Sequence, residues 1–319
     1  MTRMAMTFSE TVQKILSLNV QSASSVRKEA ARALLKEVKQ SHSTTARELR
    51  KEMVRKAKPL ILARPTEPEM RTVVRVLLRA THVSDNIHQA KREAERAVEE
   101  YEADRENALK EIAEHSWRCF PENSVVLTHC HSDTVIEVLK HARKKGRVRH
   151  VFATETRPLF QGRKTAAELG RAGIPCTSIV DSAAFSVLRD CDVFATGADA
   201  ILADESVVNK IGTAPISWSA GLFKVPHLVF TSSHKFDPAT SIGLREQIEV
   251  REPKEVWRQH GRRVHAWNPA FDICPGRWID SIVSEKGSLT PKQFARQMEK
   301  ELALDKKDRE FVSLVKMLQ

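Results

Sequence analysis

No glycine precedes Gly146, and this absence restricts what the first part of the chain can form. Glycine is the usual residue of tight β-turns because it adopts positive φ at no steric cost, whereas it weakens helices. Aromatic residues are also scarce there, with only Phe8 and Tyr101 before Trp117. The region must therefore pack helix on helix, through small and aliphatic side chains.

Apolar residues recur at three- and four-residue steps through this region, as on one face of a helix. The longest such stripe covers residues 89–113, with acids and bases on the remaining face. Pro65 ends an earlier helix, because a residue before proline avoids the helical region. We predict an N-terminal helical domain over residues 1–120, with further helices at 8–18, 24–40, 43–62 and 67–79.

The pattern changes after Pro121, where short β-branched and apolar runs alternate with helical segments. Near-continuous apolar strands are typical of a sheet covered on both faces, and their alternation with helices predicts parallel pairing. We therefore predict an α/β fold, with a Rossmann-like doubly wound parallel sheet domain over residues 121–319. Strands are expected at 124–128, 148–153, 177–180, 193–196 and 227–231, and helices at 133–145, 165–172, 182–188 and 213–224.

The formal net charge of +11 invites a nucleic-acid interpretation, since clustered cations release counterions from phosphate backbones. Basic residues are mixed with acids through most of the chain, however, and no aromatic-plus-basic signature of an RNA-recognition module occurs. We expect no direct nucleic-acid partner, and a basic surface suited to phosphorylated small molecules.

Cysteine usage and hydropathy predict a cytoplasmic protein. The five cysteines are widely spaced and form no C-x-x-C pair, which argues against a disulfide framework and a zinc finger. Residues 1–20 lack the apolar core of a signal peptide, and no run reaches the roughly 18 apolar residues of a membrane span. A reducing compartment and no membrane partner are therefore expected.

Two candidate catalytic residues follow predicted strands, at the sheet edge where α/β proteins bind ligands. Cys130 lies between a strand and a helix start, where backbone amides stabilise a thiolate. Asp199 follows Gly197 and Ala198, whose lack of bulk leaves the carboxylate facing a ligand, with a raised pKa suited to proton transfer if its surroundings are apolar. The alternatives are an inert buried cysteine and a turn aspartate.

Other polar residues near strand ends suggest binding rather than chemistry. Asn209 and Lys210 precede a glycine and a helix start, which suits a phosphate or hydroxyl group. His129 and His131 flank Cys130, but an i, i+2 pair with one thiol lacks the ligand set of a structural zinc site, so no metal is expected. Asp181 is expected to cap the helix that follows it rather than to act as a base.

Seven short motifs carry a family resemblance. They are Thr128-His129-Cys130, Glu155-Thr156-Arg157-Pro158 with Gln161-Gly162, Asp181-Ser182-Ala183, Gly197-Ala198-Asp199, Asn209-Lys210-Ile211-Gly212-Thr213, His234-Lys235-Phe236 and Asn268-Pro269-Ala270-Phe271-Asp272. Together they resemble the family that unites the alpha, beta and delta subunits of translation initiation factor 2B with two sugar-phosphate isomerases. The cysteine–aspartate pair distinguishes the isomerases, and the chain looks most like the archaeal branch that acts on ribose 1,5-bisphosphate.

The resemblance implies an aldose–ketose isomerase that makes ribulose 1,5-bisphosphate in nucleoside monophosphate breakdown, without a cofactor. It implies that Cys130, as a thiolate, takes the C2 proton and that Asp199 is the partner acid. It also implies a homo-oligomer, from dimers formed through the C-terminal domains to a hexamer, with AMP as an activator. The substrate-binding positions that it implies are Arg64, Ser132, Gln161, Asn209, Lys210 and Lys235.

One departure from the isomerase pattern supports an alternative. Where the isomerases carry Arg-Gly-Ala, this chain has Gln21, Ser22 and Ala23, so a phosphate-binding guanidinium and a glycine that permits close backbone approach are both replaced. The alternative is a noncatalytic protein like the regulatory subunits, which binds a nucleotide or sugar phosphate and contacts initiation factor 2.

Overall fold

The computed structural model describes residues 6–17, 19–20, 23–259 and 263–318. These residues form two compact units that alternate along the chain. The first unit takes the described parts of residues 1–106, 237–247 and 301–319, and the second takes residues 107–236 and 248–300. The domain division at residue 120 stays a prediction.

The first unit is helical. Threonine side chains cap two of its helices: Thr7 and Thr45 each accept a backbone N–H in the first turn, and a glutamate three residues later binds back to the cap, which satisfies two otherwise unpaired donors. The core is aliphatic, with Tyr101 and Phe311 as its only fully packed aromatic residues among those described. The helices are α1 (Phe8–Leu16), α2 (Ala23–Gln40), α3 (Ala46–Ala63), α4 (Pro68–Ala80) and α5 (Ile87–His115), the last of which continues into the second unit after residue 106.

The second unit is built on a seven-stranded sheet. Its strands are β1 (Ser124–Thr128), β2 (Val148–Thr154), β3 (Cys176–Ile179), β4 (Val193–Thr196), β7 (His227–Phe230), β9 (Ser281–Ser284) and β10 (Gly287–Leu289), in the order β10-β9-β7-β4-β1-β2-β3. All neighbours pair in parallel except β9 and β10. The five predicted strands are confirmed, with ends shifted by one residue at most.

Helices cover both faces of this sheet. Val126 of β1 packs with Val135 and Leu169, whereas its neighbour Leu127 packs with Leu188 and Ile216. Because successive strand residues point to opposite faces, the doubly wound arrangement is confirmed. The helices are α6 (Asp133–Lys144), α7 (Gln161–Arg171), α8 (Ala184–Leu188), α9 (Thr213–Leu222), α10 (Pro253–Val256) and α11 (Pro291–Glu301); α12 (Arg309–Val315) belongs to the first unit.

A second, three-stranded antiparallel sheet was not expected from the sequence. It is formed by β5 (Ala200–Ile201), β6 (Val207–Lys210) and β8 (Phe271–Cys274), in that order. It brings Asn209 of β6 opposite Asp272 of β8. Among the described residues, no helix has both the length and the apolar surface that crossing a bilayer requires.

Candidate active site

The sheet order places two candidate residues at one junction. From β1 the chain winds outward through β2 and β3, and from β4 it winds the opposite way through β7 and β9. Cys130 follows β1 and Asp199 follows β4, and these strands are hydrogen-bonded neighbours. Adjacent strands lie about 4.8 Å apart, and the crevice at such a switch in winding direction is where open α/β sheets bind ligands.

The loop that carries Cys130 is held in a conformation that side-chain-bearing residues rarely adopt. The φ of Cys130 is +70°, which places it in the left-handed region. Its backbone N–H donates to Thr156 Oγ1 at 3.0 Å, and its carbonyl oxygen accepts from Thr165 Oγ1 at 2.9 Å. Both backbone polar groups are thus fixed by side chains that follow β2, one before α7 and one within it, which is how a strained functional residue persists.

Asp181 holds the turn that supplies this contact. Its two carboxylate oxygens accept from the backbone N–H groups of Thr156 and Arg157, each at 2.7 Å. The expectation that Asp181 caps the following helical turn is wrong, because that turn has no side-chain cap. The N–H groups of the turn after β2 converge on the carboxylate and take both of its oxygens.

The predicted thiolate at Cys130 is opposed by its surroundings. Loss of hydration, reinforced by the negative charge of Asp199, raises the pKa of the thiol to about 11, and this outweighs the opposing effects of Lys210, the backbone N–H of His131 and Arg251. At rest these surroundings favour the thiol over the thiolate. The pKa of Cys130 also depends on the charge of Asp199.

Cations line the antiparallel sheet beside this pair. Lys210 is buried, and its ammonium nitrogen lies 4.8 Å from the centre of the Phe271 ring. Burial, with help from the positive charge of Arg251, lowers the pKa of Lys210. Arg251 is also buried, lies 5.6 Å from the same ring and pairs with Glu249 at 3.0 Å. Arg251 has no sequence motif that would have identified it, and the sequence analysis missed it.

His129 is a structural residue here. It is buried, with Nε2 donating to the Ile211 carbonyl at 2.9 Å and Nδ1 accepting from the Thr154 hydroxyl at 2.6 Å. Burial lowers its pKa, so the ring is neutral. His131 Nδ1 contacts Thr165 Oγ1 at 3.1 Å. In the described parts of the chain, no cluster of three or more His, Cys, Asp or Glu residues could hold a metal ion.

The remaining candidates of the second unit sit at element ends. Ser132 caps α6, its Oγ accepting from Val135 N–H at 3.3 Å. Gln161 begins α7, and its Oε1 is buried without a hydrogen-bond partner among the described residues, so it can accept from a ligand hydroxyl. Asn209 Nδ2 donates to Thr213 Oγ1 at 2.9 Å, and Lys235 is buried in a short turn after β7.

The predicted positions before residue 107 belong to the first unit or lie outside the described residues. Arg64 is buried, and its Nη2 pairs with Glu67 Oε1 at 2.7 Å. Gln21 and Ser22 lie outside the described residues. Ala23 is the first residue of α2, and its side chain also lies outside the description. Their roles stay predictions.

Comparison with known proteins identifies close relatives. The model of the initiation factor 2 subunit family matches residues 19–291. The ribose 1,5-bisphosphate isomerase of Thermococcus kodakarensis is 34% identical over 291 residues, covering 88% of this chain and 90% of that protein. The methylthioribose-1-phosphate isomerase of Desulforamulus reducens is 32% identical over 305 residues, covering 90% and 88%.

Solved structures share the fold. A translation initiation factor eIF-2B from Pyrococcus horikoshii OT3 superposes with a TM-score of 0.77 at 23% identity, covering 90% of this chain and 98% of that one. The 5-methylthioribose 1-phosphate isomerase of the same organism superposes with a TM-score of 0.73 at 23% identity, covering 92% and 88%. The predicted α/β architecture is confirmed.

Proposed function

The chain belongs to the initiation factor 2 subunit family, and we propose that within it the chain isomerises ribose 1,5-bisphosphate to ribulose 1,5-bisphosphate. At the coarser level it is an aldose–ketose isomerase that acts on phosphorylated sugars, as are the relatives named above. The observation that carries the proposal is the position of Cys130 and Asp199 after the two strands that flank the switch in winding direction.

The pair has the chemistry that the reaction needs. Protonated Asp199 gives its proton to the ring oxygen as the bond between that oxygen and C1 breaks. The Cys130 thiolate then removes the C2 proton, and the electron pair forms a C1–C2 double bond. The 2-hydroxyl returns a proton to Asp199 as the C2 carbonyl forms, and Cys130 delivers its proton to C1. Atoms and electrons balance without a redox cofactor, so acid–base catalysis suffices.

The raised pKa of the thiol fits this cycle. The pair holds one proton between them. It is on the thiol of Cys130 at rest, and it is on the carboxyl group of Asp199 when the chemistry starts. Moving that proton to Asp199 removes the negative charge that raises the pKa of Cys130, so the transfer itself favours the thiolate. The nearby cations Lys210 and Arg251 stabilise the thiolate further.

We also propose how the two phosphates are held. Lys210, Lys235 and Arg251 are buried cations of the second unit, and charge-assisted hydrogen bonds from such groups to phosphate are strong. Asn209, Ser132 and the unpartnered Gln161 Oε1 supply contacts to sugar hydroxyl groups. Arg64, Gln21, Ser22 and Ala23 stay proposed substrate-binding positions.

Several wider expectations belong to the same proposal. We propose a cytoplasmic homo-oligomer, from dimer to hexamer, that AMP activates. Light scattering of the purified protein measures the number of subunits, and rates with and without AMP measure the activation. A monomer at working concentration, or equal rates with and without AMP, would contradict them.

Proton NMR in D2O tests the reaction with ribose 1,5-bisphosphate and, in a parallel sample, methylthioribose 1-phosphate. We expect ribulose 1,5-bisphosphate from the first, and loss of turnover in Cys130→Ser and Asp199→Asn. Turnover of methylthioribose 1-phosphate alone would assign the other isomerase activity and overturn the substrate proposal. No turnover of either, with initiation factor 2 retained in a pull-down, would support the noncatalytic alternative.

A further inference from the structure

A dense cationic surface surrounds Trp117. We call it the Trp117 surface, and it comprises Trp117, Arg118, Arg143, Lys144, Lys145, Arg147 and Arg149. The guanidinium carbons of Arg118 and Arg147 lie 4.7 and 5.4 Å from the centre of the indole ring, and Lys145 Nζ lies 5.8 Å from it. Three cations therefore converge on one aromatic ring.

The cations of this surface are mostly without carboxylate partners. Among the described residues, Arg147 alone forms an ion pair, with the exposed Glu122 at 3.5 Å. The carboxyl end of α6 favours cations because of the helix dipole, which accounts for Arg143 and Lys144 in its last turn. It does not account for Arg118, which lies outside that helix and is exposed. Uncompensated like charges at this density favour a multivalent anion.

The sequence concentrates these charges in one short segment. Residues 143–149 read Arg-Lys-Lys-Gly-Arg-Val-Arg, which is five cations in seven residues. Basic runs of this kind are typical of nucleic-acid-binding patches. The whole-chain balance of 52 basic to 41 acidic residues conceals this local excess, which is why composition alone predicts no nucleic-acid partner.

The sheet separates this surface from the active site. Val148 begins β2 and pairs with Ser124 at the start of β1, so the Trp117 surface lies at the amino ends of these strands. The four steps from Ser124 to Thr128 span about 13 Å at a rise of 3.3 Å per residue, and Cys130 lies beyond the carboxyl end of β1. A ligand bound at the Trp117 surface therefore need not occupy the active site at the opposite edge of the sheet.

We propose that the Trp117 surface binds single-stranded nucleic acid through its phosphate backbone. Four of its six cations are arginines, whose planar guanidinium groups bind phosphate with two parallel hydrogen bonds and also stack on bases. The half-buried indole adds an aromatic surface among these cations, the combination on which sequence-tolerant single-strand binders rely. Carboxylates bind guanidinium groups in the same way, so it is the indole ring, on which bases stack, that favours nucleic acid over an acidic protein.

Fluorescence anisotropy of labelled U20, from 50 to 200 mM salt, tests the proposal on the full chain. The test variant combines Arg118→Gln, Lys145→Gln and Arg147→Gln. The matched control combines Arg47→Gln, Lys51→Gln and Arg55→Gln, three exposed cations of α3 that form no ion pair among the described residues. Both lose three charges, but only one loses them from this surface.

We expect the test variant to bind U20 at least tenfold more weakly at 50 mM salt, and its salt slope to fall by about 2, or 0.7 per lost contact. The control should stay within about twofold of the wild type. Equal losses in both variants would show attraction by overall charge and overturn the proposal. Sugar-phosphate isomerase activity should be unchanged in both, which keeps this test independent of the proposed reaction.

Competition identifies the class of partner. Unlabelled U20 should displace the probe at least tenfold better than a poly-glutamate peptide of equal charge, and Trp117→Leu should weaken binding at least fivefold while Trp117→Phe retains it. Equal competition by poly-glutamate would assign an acidic protein instead. Photocrosslinking of 4-thiouridine oligonucleotide should label peptides that contain residues 117–118 or 143–149, and labelling confined to other peptides would overturn the proposal without any variant.

Discussion

The hydroxyl of Thr156 accepts a hydrogen bond from the backbone N–H of Cys130 at 3.0 Å, and both residues have positive φ, +61° and +70°. The Asp181 carboxylate in turn accepts from Thr156 N–H at 2.7 Å. Cys130 follows β1, Thr156 follows β2 and Asp181 follows β3. The connections at the carboxyl ends of three neighbouring strands therefore form one hydrogen-bonded chain that ends at the backbone N–H of Cys130.

Asp181→Ala should lower kcat by about tenfold or more and change KM less. The substitution removes both acceptors of the turn at Thr156 and Arg157, each worth about 1–1.5 kcal/mol, and loosens the contact that fixes Cys130. Misplacement of a catalytic group by about 1 Å can cost a hundredfold in rate. Steady-state kinetics with thermal unfolding measures both effects. Asp190→Ala, at an exposed carboxylate after α8, is the control, and equal rates in the two variants would contradict the positioning role.

Alkylation of Cys130 by iodoacetamide should be slow at pH 8 and should rise tenfold per pH unit until about pH 11. Only the thiolate reacts, and a pKa of about 11 instead of 9.0 leaves about a hundredfold less of it. Asp199→Asn should speed the reaction because it removes a charge that raises the pKa. Lys210→Gln should slow it because it removes a charge that lowers the pKa.

Mass spectrometry of the peptide that contains Cys130 measures these rates separately from those of the other four cysteines. Cys130→Ser identifies the peptide signal. A faster reaction in Lys210→Gln, or a slower one in Asp199→Asn, would contradict the electrostatic account of this site.

Two glycines of α7 should respond to alanine in opposite directions. A Cβ at Gly162 would lie 1.7 Å from the Thr154 carbonyl oxygen and 2.9 Å from Thr156 Oγ1, whereas a Cβ at Gly170 meets nothing within 4 Å. Gly162→Ala must push the start of α7 away from β2, at a cost of about 1–3 kcal/mol, and should lower activity with it. Gly170→Ala should stabilise the protein by about 0.5–1 kcal/mol. Chemical denaturation compares them, and equal shifts would contradict this close helix–strand contact.

The sequence predicted the parallel strands because each is a run of buried apolar residues bounded by polar ones. It did not predict the antiparallel sheet, since β5 has two residues and β6 mixes Val207 and Val208 with Asn209 and Lys210. The pairing of β6 with β8, more than 60 residues later, is a nonlocal contact that no local pattern encodes. Lys210 reaches the site through this pairing.

For the site, position was predictable but protonation was not. A cysteine after a strand and before a helix predicts a place on the ligand edge, and the structure has it there. Its pKa depends on how much water reaches the sulfur and on which charges the fold brings near, here Asp199, Lys210 and Arg251. Helix-start amides act locally and are visible in sequence, whereas burial is a property of the whole packing.

Asp272→Asn should make the protein progressively more stable than the wild type as the pH rises from about 4 to 6. Burial raises the pKa of Asp272 from 3.8 to about 6, so the folded state favours the protonated form. That contribution is fully present below pH 3.8 and is lost as the pH rises through 6. The asparagine oxygen can still accept from Gly212 and Ala214 N–H, as Asp272 Oδ2 does at 2.8 and 3.1 Å, and it carries no charge. The difference in unfolding free energy should therefore grow by about 3 kcal/mol, at 1.36 kcal/mol per pKa unit, and stay constant above pH 7. Urea denaturation at each pH measures this difference, and one that shrinks over the same range would contradict the raised pKa.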